Sequence, residues 1–171
     1  ADGGYRLCVI ARDLAENETL ASNAKSYDWN KDMVAPVASD ITLSNLPASI
    51  SNVNVLSVVV SGVSAYKIAL TTQAQACSLA TYSATWTPVS TPISNNLPTD
   101  GQLRLCVLGR DSAGNGATAA NAKQFDWTLN TSQAVAVLNN EPSASSNATA
   151  LNVTVSGAHL VSYKYAVITS G

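Results

Sequence analysis

The residues able to do chemistry in this chain are few, and their spacing excludes most of the chemistry they could do. Three cysteines stand at positions 8, 77 and 106. They form no CxxC or Cys/His metal spacing, and with a single histidine, His159, zinc has no ligand set. One histidine also leaves a hydrolytic triad nowhere to sit, and there is no GxSxG elbow, HExxH pair or phosphate loop. The eleven acidic residues are scattered over turns and linkers, a poor arrangement for the paired carboxylates of glycoside hydrolysis. The chain reads as a non-enzyme. Nine Lys+Arg against those eleven acids, for a net charge of -2, provide no basic stripe to displace counterions from phosphates, so no nucleic acid partner is expected. Apolar stretches fall far short of the roughly 20 residues a spanning helix needs, so no membrane span is expected in this segment. Opening at Ala1-Asp2-Gly3-Gly4 without an initiator Met, the chain reads as a matured or excised piece.

Internal self-similarity supplies the frame for these residues. "DGGYRLCVIARDLAEN" from Asp2 returns as "DGQLRLCVLGRDSAGN" from Asp100, and "NAKSYDW" ending at Trp29 returns as "NAKQFDW" ending at Trp127, both at a shift of 98. "LSVVVSG" with "YKIAL" (Leu56 to Leu70) returns as "LNVTVSG" with "YKYAV" (Leu151 to Val167) at a shift of 95 that grows to 97 before Tyr163. A period of nearly 100 residues is the size of a whole domain rather than of a solenoid turn. The chain therefore reads as a window on an array. Residues 1–33 are the C-terminal strands of a truncated unit, 34–131 a complete unit, and 132–171 the N-terminal strands of a further truncated one.

Short alternating runs punctuated by Gly, Pro, Asn and Ser predict antiparallel strands and require no helix. In the complete unit they fall at about 41–43, 53–60, 65–70, 77–82, 89–93, 103–109 and 122–129, which favours an all-β, two-sheet sandwich of immunoglobulin-like type. Leu103, Leu105 and Val107 share one face of their strand, as Tyr5, Leu7 and Val9 do in the earlier copy. Trp29 and Trp127 are expected to pack over the end of the sandwich rather than to stack on a ligand. Arg12 and Arg110 are each expected to find a partner across the strands rather than in the neighbouring aspartate. Cys77 and Cys106 remain as the natural pair of the complete unit, because the third strand and its continuation lie beside the sixth. They are expected to form a disulfide. Cys8 occupies the Cys106 position of the previous unit and is unpaired in the fragment. Such a disulfide implies an oxidising compartment, periplasm or cell exterior.

The two Asp-Gly strand-and-turn blocks, together with the Trp-terminated strand leading to "DMVAP", resemble bacterial immunoglobulin-like tandem repeats of large extracellular, adhesin-type surface proteins. The resemblance covers essentially the whole chain and implies a secreted or surface-anchored protein acting as stalk, adhesin or matrix component. Its implied partners are neighbouring repeats or copies of itself and an unknown surface ligand. The sequence departs from that pattern at Glu16, which replaces a turn glycine, and at 129–135, which replaces the Asp and Ala-Pro linker. Asp13 and Asp111, each with an Asn four residues on, fit turns in which the carboxylate accepts backbone N–H groups. They also resemble, with Asp32, the ligands by which related repeats bind calcium at interdomain junctions, and both readings stand at this stage.

Three functions follow. The first is a structural or adhesive segment of a repeat array. The second is a self-assembling extracellular filament subunit, joined head to tail by strand complementation between residues 132–171 and 1–33 of neighbouring chains. In that arrangement the two halves together lack the counterparts of about residues 75–98. The third, a carbohydrate-binding module, would need an exposed aromatic face, and most of the aromatics fall in core phase or at strand ends.

Overall fold

The computed structural model describes residues 2–97 and 99–168; Ala1, Pro98 and residues 169–171, which the segment boundaries above include, lie outside the described residues. The described chain is all-β, with 3-10 turns as its only helical elements. Its first segment is a ribbon of β1 (Gly3–Val9) antiparallel to β2 (Lys25–Lys31). The middle segment carries β3 (Thr42–Ser44), β4 (Ile50–Ser51), β5 (Val55–Ser61), β6 (Ala65–Thr72), β7 (Thr87–Pro88), β8 (Ile93–Asn96), β9 (Gly101–Arg110) and β10 (Lys123–Leu129). These make a three-stranded sheet in the order β3-β5-β8 and a five-stranded sheet in the order β4-β10-β9-β6-β7. The last segment is a short antiparallel pair, β11 (Val137–Asn139) with β12 (Thr154–Ser156).

The two sheets of the middle segment pack face to face as a sandwich, because their strands alternate. Leu56, Val58 and Val60 of β5 are buried while their neighbours along the strand are not. They meet Leu103, Leu105 and Val107 of β9, with Ile41, Ile93 and Leu129 closing the same core. Trp127 lies within this core rather than over its end, 1% exposed and opposite Leu103 on the neighbouring strand. Its indole N–H has no acceptor among the described residues, a cost that burying so large a ring offsets.

Three sequence expectations shift. Residues 77–82 are not a strand: Cys77–Leu79 form a 3-10 turn, closed by Leu79 and Ala80 donating to the carbonyls of Ala76 and Cys77. That stretch has no apolar alternation, and it crosses the outer face of the five-stranded sheet instead of joining it. Residues 89–93 give way to β7 and β8, separated by a turn in which the Thr91 N–H donates to the Pro88 carbonyl at 3.0 Å. Finally, one pairing is parallel, the short contact of β4 with β10, where β4 adds to the sheet edge.

The matching sequence blocks adopt matching conformations. Val9↔Lys25 and Gly3↔Lys31 in the first ribbon repeat Val107↔Lys123 and Gly101↔Leu129 at a shift of 98. Leu138↔Val155 repeats Leu43↔Val60 at a shift of 95. Local backbone geometry recurs too. Glu16 is left-handed at φ 68°, where Gly114 stands at 99°, and Asn140 at 60° answers Asn45 at 56°. The packing differs sharply. Leu105 is fully buried in the middle segment, while its counterpart Leu7 is 53% exposed; Trp29 is 43% exposed where Trp127 is 1%.

Candidate functional site

The best-built local chemistry lies on the outer face of the five-stranded sheet. Cys106 alternates with the core-facing Leu105 and Val107, so it points away from the inter-sheet core, yet it is fully buried. Its cover is the 77–82 crossing. Cys77 is bonded to Cys106 as expected, with Cα atoms 5.6 Å apart, and the pair is packed with Ala69, Ala80, Tyr82 and Ala122. The Tyr82 hydroxyl donates to the Cys77 carbonyl at 3.0 Å, and burial raises its pKa above the ordinary phenol value. The disulfide thus pins a loop over a sheet. Cys8, at the Cys106 position of the first ribbon, is exposed and free.

The same face carries a bidentate ion pair that residue spacing along the chain does not point to. Arg104 on β9 donates to both carboxylate oxygens of Asp126 on β10, at 2.7 and 2.8 Å, and to the Gln75 carbonyl at 3.1 Å. Its hydrogen bonds hold the Asp126 carboxyl below its usual pKa. Arg6 and Asp28 repeat the pair in the first ribbon at 2.6 and 2.8 Å. A shared Arg and Asp at a shift of 98, directly opposite across two strands, was the signal available for it. Arg12 does find a cross-strand partner, Glu18, at 3.2 Å. Arg110 instead donates to the Gly114 carbonyl and lies over the ring of Trp86, which Lys67 also approaches.

Asp13 and Asp111 both build Asx-type turns. One oxygen of Asp111 accepts the backbone N–H groups of Gly114 and Asn115 at 2.8 Å, and the other accepts the Asn115 side-chain amide at 2.9 Å. Asp13 does the same with Ala15 and Asn17. In both, the Asn amide leads the hydrogen bonds that lower the carboxyl pKa. Asp32 lies at the junction: its carboxylate accepts the Val34 N–H, and its carbonyl accepts the Asn115 amide at 3.1 Å. The structure therefore brings Asp32 beside the Asp111 turn through Asn115. Among the described residues no three acidic, cysteine or histidine side chains gather into one group, so Asp13, Asp32 and Asp111 do not converge. Asp100 plays a comparable tying role, accepting from the Thr131 N–H and hydroxyl and the Ser132 hydroxyl, and these bonds lower its pKa.

The outer segments present apolar surface. Leu7, Val9 and Trp29 form one face of the first ribbon. The last segment contains an open cleft of about 540 Å³ lined by Leu138, Leu151, Val153, Val155, Tyr163 and Tyr165. His159 sits at a turn with φ 58°.

No family model matches the chain, and no curated protein matches it in sequence.

Proposed function

We propose that the chain is a structural segment of a secreted or surface-anchored bacterial protein built from immunoglobulin-like repeats, serving as stalk, adhesin or matrix component. The observation that carries this reading is the recurrence of strand register, turn geometry and ion pairing at shifts of 98 and 95 residues. Such recurrence is what one unit repeated along a chain would produce. Strand order supports it. β6, β9 and β10 share one sheet and β3, β5 and β8 the other, the division found in immunoglobulin-like sandwiches. The disulfide suits an oxidising exterior, and a composition with only 12% charged residues suits a surface that packs against like units.

Antibody raised against the chain tests the location directly. It should label intact source cells, and protease added outside should remove the label. Signal only after permeabilisation would overturn the surface assignment. Pulling the chain from its two ends tests the mechanical role. The middle segment should yield in one step, and reduction should lengthen that step by the residues between Cys77 and Cys106.

A further inference from the structure

The stretch that joins the first ribbon to the middle segment is tied at successive residues. Asp2, just ahead of β1, accepts the Met33 N–H at 3.1 Å, and Asp32, just past β2, accepts the Val34 N–H at 2.9 Å. Both bonds recur at a shift of 98, where the chain leaves the middle segment. There Asp100 accepts the Thr131 N–H at 2.9 Å and Asn130 accepts the Ser132 N–H at 3.2 Å. The exit from β2 and from β10 is therefore shaped in the same way, by one acceptor ahead of the neighbouring strand and one past the strand's own end.

Asn115 adds a bond from the middle segment. Its side-chain amide meets two acceptors, the Asp111 carboxylate at 2.9 Å and the Asp32 carbonyl at 3.1 Å, which matches the two N–H groups an amide has to donate. The Asp111 carboxylate is itself held by the backbone N–H groups of Gly114 and Asn115, and a charged acceptor grips an amide more firmly than a neutral one. The turn thus orients the amide, and its remaining N–H is aimed at the linker. The Asp32 carbonyl and the Met33 N–H belong to one peptide group, which is planar and does not twist. That single group is bonded to Asp2 of the first ribbon through its N–H and to Asn115 of the middle segment through its carbonyl. Further along, Pro36 is buried, and its ring fixes φ.

We infer that the Asp111 turn is a lock for this joint: Asn115 and Asp2, acting on the one peptide group between Asp32 and Met33, fix the first ribbon's orientation to the middle segment. Neighbouring units of a chain otherwise move relative to one another unless a large apolar interface holds them. In the lock the Asp111 oxygens serve as acceptors of N–H groups, so the Asn115 amide completes the joint. Asn115 is a positioning residue in this sense, since it acts on the linker by way of a turn built for other reasons. The role deepens the stalk reading and rests on it, because a rod keeps its direction only where its joints do not swivel.

Backbone amide relaxation and residual dipolar couplings, measured by NMR on the full chain, test the lock. The Met33 and Val34 amides should be as ordered as those of β9, with order parameters of about 0.85, and one alignment frame should fit β2 and β9 together. Asn115→Ala should drop the Met33 and Val34 values below about 0.6 and require two frames, while the fluorescence of Trp127 shows the middle segment still folded. Asn17→Ala breaks the equivalent turn bond in the first ribbon and no bond across the joint, so it should leave both readouts unchanged. Asp2→Ala should loosen the joint as Asn115→Ala does, and Asp2→Asn, whose amide oxygen still accepts the Met33 N–H, should restore it. EDTA should change neither readout. Low order at Met33 in the parent chain, no loosening from Asn115→Ala, equal loosening from Asn17→Ala, or loosening by EDTA would each overturn the lock. None of these outcomes bears on whether antibody reaches the chain on intact cells, so the lock and the surface assignment fall separately.

Discussion

Arg104 and Asp126 face each other across β9 and β10 in a two-pronged pair, and Arg104 extends a third hydrogen bond to the Gln75 carbonyl at the entrance to the disulfide loop. Arg6 and Asp28 reproduce the pair without a third bond from Arg6 among the described residues, and both side chains are well exposed. The same two residue types therefore do different work in the first ribbon and in the middle segment. Where solvent surrounds a pair, screening and side-chain entropy cancel most of its attraction.

Arg104→Ala should lower the urea midpoint of the middle segment, followed through the fluorescence of buried Trp127. Arg6→Ala should leave that midpoint within error. Equal effects from the two would show that the contact with Gln75 contributes nothing.

Reducing the disulfide, or replacing Cys77 with Ser, should destabilise the middle segment by about 3 to 4 kcal/mol, the chain-entropy value for the 29-residue separation of Cys77 and Cys106. Guanidine titration with and without reductant measures it. Cys8→Ser should change nothing in the same titration, since Cys8 is exposed and unbonded. A shift from Cys8→Ser as large as that from Cys77→Ser would contradict the pairing.

Strand alternation makes the core legible in the sequence. Leu103, Leu105 and Val107 read as one face and are one face, and Cys77 does bond to Cys106, though from a 3-10 turn laid over the sheet rather than from a neighbouring strand. Residues 77–82 resisted that reading because their fate is decided by tertiary contacts. A sequence of Cys, Ser, Leu and Ala has no marked period, and what holds it is the bond to Cys106 and the Tyr82 hydroxyl. The Trp127 position misled for a related reason. Nearness to the end of a strand says little about depth when residues of the facing sheet pack into the same core cluster at that end. At the turns, Asp-x-x-x-Asn spacing allowed both a hydrogen-bonded turn and a metal ligand. In the folded chain both Asp111 oxygens are taken by N–H donors, and Asp13, Asp32 and Asp111 form no common group among the described residues.

Gly62 holds a left-handed φ of 87°, and a Cβ there would collide with the Asp40 carbonyl oxygen. Gly62→Ala should destabilise the middle segment by about 1 to 3 kcal/mol, through a disfavoured backbone region plus a contact with backbone that cannot swing away. Thermal melting measures it. Gly157 meets the Val135 carbonyl in the same way, but Gly157→Ala should not move the melting of the middle segment.

Acid should weaken the fold in a definite window. Asp100, Asp111 and Asp126 all titrate below the ordinary carboxyl value because hydrogen bonds favour their charged forms. At acid pH the unfolded chain therefore binds more protons than the folded one. The stability these groups contribute is complete above the unfolded value of about 4 and is lost as pH falls through the lower folded values. Urea midpoints should be level from about pH 5 to 8 and fall steeply below 4. Asp111→Asn, which puts an amide among N–H donors, should lower the neutral plateau and flatten the acid limb. On the alkaline side, burial raises the Tyr66 and Tyr82 hydroxyls, so their contribution is intact below about pH 10 and lost as pH rises through the folded values.

Amide exchange should separate segments that share a register but not a core. The N–H groups of Leu105 and Val107 lie in a central strand buried on both faces, so their exchange requires opening of the whole sandwich. Their counterparts Leu7 and Val9 belong to a two-stranded ribbon with solvent on both faces, and two strands alone are barely stable in water. In dilute solution Leu7 and Val9 should exchange at least about a hundredfold faster than Leu105 and Val107. Chymotrypsin should likewise cut after Tyr27 and Tyr163 while sparing Tyr66 and Trp127. Slow exchange at Leu7 already in dilute solution would instead mean that β1 is held within its own molecule, by contacts stronger than its pairing with β2.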